Sequence, residues 1–328
     1  VWSGVTFLMG YAETFNQIYW LRAIMGVSEA LYIPAGLSLI ADFHSPKTRS
    51  LAIGIHMTGL YMGQALGGFG ATIADKFSWQ STFHWFGIAG IVYSFILILF
   101  LREKKVNDDE MVSDKIIIST KPSLFKGLWL LFTNISFWII LFYFAVPSLP
   151  GWAAKNWLPT LFAQNLNIPM ATAGPLSTIT IAASSFLGVI FGGILSDKWV
   201  QKNIKGRIYT SAIGLALTIP SLLLLGFGHS LFHVVGAAIC FGLGFGMFDA
   251  NNMPILCQFV SARYRATAYG LMNMTGVFFG AFITDLLGKS SDAGSLGKDF
   301  AMLAGIVVIA LVVQLYFLRP QHNDFVDA

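Results

Sequence analysis

Nine long apolar stretches follow one another along this chain, at about 19–43, 50–73, 82–101, 135–162, 170–195, 208–228, 231–257, 266–288 and 300–318. At a rise of about 1.5 Å per residue, each is long enough to cross a hydrocarbon core of about 30 Å as an α-helix. That succession leaves little choice of fold class: an all-α membrane protein. Composition agrees. Charged residues make up 11% of the 328 and hydrophobic ones 55%, whereas a soluble domain carries about 25% charged residues. An apolar run from Val1 to about Thr14 is too short to cross, so the chain is expected to begin inside a helix, with N-terminal sequence missing.

Alternating crossings put successive loops on opposite sides. The loops near 44–49, 102–126, 196–207 and 261–265, with the tail from Arg319, hold 15 Lys and Arg, and the opposite loops hold three, Lys76, Lys289 and Lys298. Basic residues are retained on the cytoplasmic side. The expectation is a multi-pass protein of the cell (inner) membrane with a cytoplasmic C-terminus. The net charge of +4 is thereby a topology signal, and no nucleic-acid partner is expected. Cys240 and Cys257 lie 17 residues apart on one expected helix, too far to bridge.

The only long polar stretch, 102–126, separates residues 1–101 from 127–328 and is expected to link two helical bundles. Its end, from Pro122 to Thr133, is expected as an interfacial helix. An internal echo supports two related halves: Arg49-Ser-Leu-Ala-Ile-Gly54 precedes Met57-Thr58-Gly59, and Arg265-Ala-Thr-Ala-Tyr-Gly270 precedes Met274-Thr275-Gly276.

Several motifs fall in a telling order. They are Arg22-x-x-x-Gly26-x-x-Glu29-Ala30 with Pro34, Pro46-x-x-Arg49, Gly59-x-x-x-Gly63 with Gly67-Gly68, Trp157-Leu158-Pro159, and Gly193-x-x-x-Asp197-Lys198 with Gly206-Arg207. In this the chain resembles the major facilitator superfamily, and most closely its anion:cation symporter group, which carries sugar acids and related organic anions. The resemblance implies two pseudo-symmetric six-helix bundles. On that template the chain holds half of span 3, spans 4–6 in residues 1–101 and spans 7–12 in 127–328, with spans 1 and 2 missing. It also implies that spans 1, 4, 7 and 10 line a central path.

Arg22 and Glu29 are seven residues apart, hence on one helix face and roughly 10 Å apart along the axis. An ionised group within a span costs at least about 2.5–3.5 kcal/mol, so both should face a cavity or a partner. A guanidinium matches a carboxylate with two parallel hydrogen bonds. Arg22 is therefore a candidate substrate-binding residue and Glu29 a candidate proton carrier; a static salt-bridge network is the alternative. Lys155 and Asn156 follow a Pro147, Pro150, Gly151 break and are candidates to meet the substrate, or to lie at the interface with Trp152 and Trp157. Asp249 and Asn252 share a face of the expected tenth span. They could bind substrate hydroxyls, pair with Lys155 as a gate, or simply join helices. Gln64 and Asn273 are weaker candidates, with His56 beside them. The resemblance further implies gate salt bridges among Arg49, Asp197, Lys198, Arg207 and Arg265. Gly242, Gly244 and Gly246 read as close-packing positions. No metal site, cofactor site or catalytic group is evident, so an enzyme is not expected.

The expected function is secondary active transport: symport of a small organic anion such as a hexuronate, aldonate or sialate with H⁺ or Na⁺, by alternating access, in a monomer. Proton-exchange export, sugar-phosphate exchange and a non-transporting sensor on the same fold are the alternatives. The resemblance disfavours export, since exporters of the superfamily carry a Gly-Pro pair on span 5 and here Gly63 is followed by Gln64.

Overall fold

The computed structural model describes residues 1–30, 32, 36, 39, 40, 43, 49–101, 124–260 and 264–319. Among them there are twelve helices and no strand. The chain divides into two units, Val1–Lys121 and Pro122–Ala328.

The first unit contains α1 (Trp2–Met9), α2 (Phe15–Ala30), α3 (Arg49–Gly67), α4 (Phe69–Lys76) and α5 (Trp79–Phe100). The apolar stretch expected at 50–73 is two helices, because it meets the adjacent glycines Gly67 and Gly68. Ser78 caps α5, its hydroxyl accepting from the Ser81 amide at 3.1 Å. The short α1 packs on α5, where Gly87 and Gly90 make room for the backbone of Phe7 and the side chain of Ser3. α2 also packs on α1, yet none of its residues is buried.

The second unit contains α6 (Leu124–Thr133), α7 (Ile135–Leu166), α8 (Met170–Val200), α9 (Gly206–Phe227), α10 (Leu231–Leu256), α11 (Arg265–Asp292) and α12 (Leu296–Phe317). Side-chain caps fix two starts. Asn134 accepts from the Ser136 amide at 2.8 Å, and Ser230 accepts from the His233 amide at 3.3 Å. α7 stops at Asn167, whose φ of 52° is the left-handed conformation that Asn tolerates at a helix end.

Helix α10 lies between α8 and α9; α9 also packs on α12, and α7 packs on α8, α11 and α12. Small residues allow this. Gly242 and Gly246 of α10 take up Ser184 and the Ser185 carbonyl of α8, and Gly188 and Gly192 of α8 take up Leu243 and Met247. Without a hydrophobic force between helices in lipid, such close backbone contact is the chief source of association. The three glycines read from sequence as packing positions serve that purpose.

Among the described residues, seven helices are long and apolar enough to cross a membrane: α5, α7, α8, α9, α10, residues 267–292 of α11, and α12. The outward faces are apolar too, with Ile98, Leu99, Phe100, Phe232 and Phe278 all well exposed. A surface of this kind is unstable in water and natural in lipid. α3 has 19 residues but carries His56 and Gln64, and it is not among the seven.

Candidate functional site

The polar residues of the second unit converge around α10. Pro254 removes a backbone donor from this helix near its C-terminal end, and the residues just before it are polar. Asn251 and Asn252 are buried, whereas Asp249 is exposed. The Asn252 amide donates from Nδ2 to Asp249 Oδ1 at 3.1 Å, across the i, i+3 spacing. On the other side, Asn252 Oδ1 accepts from the Tyr143 hydroxyl of α7 at 3.2 Å. That hydroxyl also meets Ser211 Oγ of α9 at 2.8 Å. Tyr143 and Ser211 are both fully buried. One polar chain thus joins α9, α7 and α10 and ends on a carboxylate that is not enclosed.

Two aromatic contacts hold its parts in place. The Tyr143 ring stands edge-on to Phe248 with centroids 5.4 Å apart, and Phe248 lies against Phe245 at 5.7 Å. Tyr269 of α11 lies near Asn273, one turn further on, and near Asp249 of α10. Asn273, a candidate from the sequence, is thereby tied to the same region. Tyr143, Ser211 and Tyr269 were not among the sequence candidates. The usable signal was a tyrosine inside an apolar run, because a buried phenol needs a hydrogen-bond partner.

Lys155 and Asn156 sit elsewhere on α7. Lys155 is exposed, with Nζ 4.5 Å from the centroid of the Trp152 ring. Asn156 Nδ2 donates to Thr284 Oγ1 of α11 at 2.9 Å, and the Trp157 indole donates to the Thr284 carbonyl at 3.1 Å. Among the described residues Lys155 forms no ion pair with Asp249.

Where α8 ends and α9 begins, Arg207 Nη2 lies 3.7 Å from Asp197 Oδ1. Its Nη1 donates to the Pro254 carbonyl of α10 at 3.3 Å. Lys198, in the last turn of α8, is exposed. Arg265 closes the turn from α10 to α11 by donating to the carbonyls of Cys257 and Val260, each at 3.1 Å.

In the first unit, Arg22 and Glu29 are exposed on α2, and among the described residues neither forms an ion pair. Gln64 is half-buried on α3. The His56 ring lies 5.6 Å from that of Tyr32. Arg49 begins α3, but its side chain lies outside those described.

Residues 1–285 match the sequence profile of the Major Facilitator Superfamily. The chain belongs to that superfamily. Its membrane-crossing helices have a facilitator fold. It is 26% identical over 332 residues to a protein named probable anion transporter 6, chloroplastic, of Arabidopsis thaliana, covering 94% of this chain and 63% of that one. It is 23% identical over 352 residues to the hexuronate transporter of Bacillus subtilis, covering 98% of this chain and 77% of that one. This facilitator spans about three fifths of the length of the plant relatives that it matches. In fold it is similar to a bacterial homologue of the human lysosomal transporter Spinster, solved in an inward-facing, unoccupied conformation. The TM-score is 0.78 at 18% identity, over 100% of this chain and 83% of that one.

Proposed function

We propose that this facilitator carries a small organic anion, a sugar acid such as a hexuronate, in symport with a proton. The relatives named as anion and hexuronate transporters support the substrate class. The observation that carries the reading is the state of Arg22 and Glu29 on α2: two ionisable residues, seven apart, exposed, and with no ion pair among the described residues. Hydrocarbon would penalise both charges, so their open faces meet water or a solute. Arg22 then binds the substrate carboxylate through its fork of donors. Glu29 takes up and releases the coupling proton.

In this reading Asp249, Asn252, Gln64 and Asn273 contact the remainder of the solute, with Lys155 and Asn156 as further contacts. Arg49, Asp197, Lys198, Arg207 and Arg265 form gates that break and re-form as the two halves alternate. The protein works as a monomer in the inner membrane, with its C-terminus in the cytoplasm. One proton carried inward with a monoanionic sugar acid moves no net charge, so the pH gradient drives accumulation, by about 1.4 kcal/mol or tenfold per pH unit.

The test is uptake of radiolabelled glucuronate by the intact protein in liposomes, with and without an inward proton gradient. The expected result for Glu29→Gln is loss of gradient-driven accumulation with exchange of internal for external substrate retained. Accumulation at the wild-type level would remove Glu29 as the proton site.

A further inference from the structure

The polar chain in the second unit has a direction. Tyr143 has one hydroxyl proton, and it is given to Asn252 Oδ1. The contact between Tyr143 and Ser211 must then be a donation from Ser211 to the phenol oxygen. Asn252 in turn donates from Nδ2 to Asp249 Oδ1. Every proton points the same way, from Ser211 through Tyr143 and Asn252 to Asp249. The Asp249 carboxylate, an acceptor, sets which way the Asn252 amide faces, and Tyr143 anchors the carbonyl end of that amide by its donation. Flipping that amide would put its carbonyl oxygen against the Asp249 carboxylate.

Asp249 is consequently an acceptor with one oxygen engaged and the other, Oδ2, making no hydrogen bond to a described residue. The side chain is exposed although its neighbours Phe248 and Asn252 are buried. A carboxylate on a membrane-crossing helix cannot face lipid cheaply. A carboxyl oxygen left free to accept meets hydroxyl donors well and offers the charged end of an organic acid neither a cation nor a donor. It is suited to the neutral, hydroxyl-bearing part of a solute and unsuited to its charged end.

We infer that Asp249 is a hydroxyl-recognition subsite, and that Tyr143, buried and out of reach of solute, is the positioning residue that sets it through Asn252. The preferred solute is then a polyhydroxylated acid, and a bare carboxylic acid of similar size binds less well. This inference rests on the organic-anion reading above, but its test separates the two.

The experiment measures equilibrium binding to the intact purified protein of three probes: glucuronate, cyclohexanecarboxylate, and the uncharged methyl α-glucoside. Wild type should bind both acids, glucuronate more tightly. Tyr143→Phe keeps the ring against Phe248 and removes the one donor to Asn252. It should weaken glucuronate about tenfold and leave cyclohexanecarboxylate within about twofold of wild type. A merely structural role would shift both acids together. Equal weakening of the two acids, no weakening of glucuronate, or a wild type that does not prefer glucuronate would each overturn the inference. If wild type binds neither acid, the organic-anion reading is what fails, and the glucoside decides the subsite. Binding of the glucoside that Tyr143→Phe weakens sustains it; no binding, or binding that Tyr143→Phe leaves unchanged, overturns it. Should Tyr143→Phe not fold, Ser211→Ala makes the same selective comparison with a smaller expected loss, about threefold.

Discussion

The two units are built from the same kind of helix and bury it very differently. Of the apolar window of α5, in the first unit, 6% is buried; of the corresponding window of α7, in the second, 56% is. The less buried α5 is the more apolar of the two, so composition does not set the difference. Neighbours do. α7 packs on α8, α11 and α12, whereas α5 packs on the short α1 and α4. Polar groups follow the same division. In the second unit the hydroxyls of Tyr143 and Ser211 are enclosed and paired with each other, while in the first unit Arg22 and Glu29 are open. Among the described residues, the second unit encloses the hydroxyl end of its polar chain, while the charges on α2 of the first unit are all open.

Glycine substitutions give the sharpest way to break this contrast. A Cβ placed on Gly244 of α10 would stand 2.5 Å from the Gly214 carbonyl oxygen of α9, a backbone atom that cannot step aside. Gly59 of α3 has no described atom within 4 Å of such a Cβ. Gly244→Ala should therefore destabilise the protein by about 2 kcal/mol. Gly59→Ala should be neutral or stabilising by under about 1 kcal/mol. Unfolding in detergent micelles, followed by tryptophan fluorescence, measures both. Equal losses at the two glycines would mean that the packing difference between the units has no energetic meaning.

Much of this was legible in the residues because lipid imposes simple rules. The stretch expected at 231–257 is α10, Leu231–Leu256, and that expected at 300–318 is α12, Leu296–Phe317. Length and apolarity decide such helices nearly alone. The break at Gly67-Gly68 was visible as a motif but not as a helix end, since glycine within a membrane helix signals close packing as often as interruption. The site was half legible. Asp249 and Asn252 stand out as polar residues in an apolar run, and their three-residue spacing placed them on one face. Tyr143 and Ser211 did not, because a partner 68 or 109 residues away leaves no periodic trace in one sequence. Lys155 stood out by its charge, but the sequence did not show that its ammonium rests on Trp152.

A smaller effect is expected where α8 gives way to α9, and it sharpens the division between enclosed and open polarity within one residue pair. Arg207 donates to the Pro254 carbonyl, inside the bundle, and its Nε is buried. Its partner Asp197 is mostly exposed at a separation of 3.7 Å. Removing the enclosed end should matter more than removing the open end. Arg207→Gln should cost about 1–2 kcal/mol of stability, because it leaves a carbonyl without a donor. Asp197→Asn should cost under about 0.5 kcal/mol, as exposed ion pairs do. A double-mutant cycle in the same unfolding assay would report a coupling below about 1 kcal/mol; a larger value would place the pair among the enclosed contacts.

The smallest expected effect is at Lys155, and it asks whether an open charge in the well-packed second unit serves the solute or only the fold. Its ammonium rests on the face of Trp152, an exposed contact worth about 0.5–1 kcal/mol. Lys155→Met keeps most of the aliphatic stem and removes the charge. If the lysine is a second cationic contact for an organic anion, half-saturation for glucuronate should rise about threefold while that for methyl α-glucoside stays unchanged. Trp152→Leu, which frees the ammonium without removing it, should leave the glucuronate value nearly as it was. Identical shifts in both variants would assign Lys155 to holding Trp152 in place. The open charge of the second unit would then be structural, and only the first unit would offer a cation to the substrate.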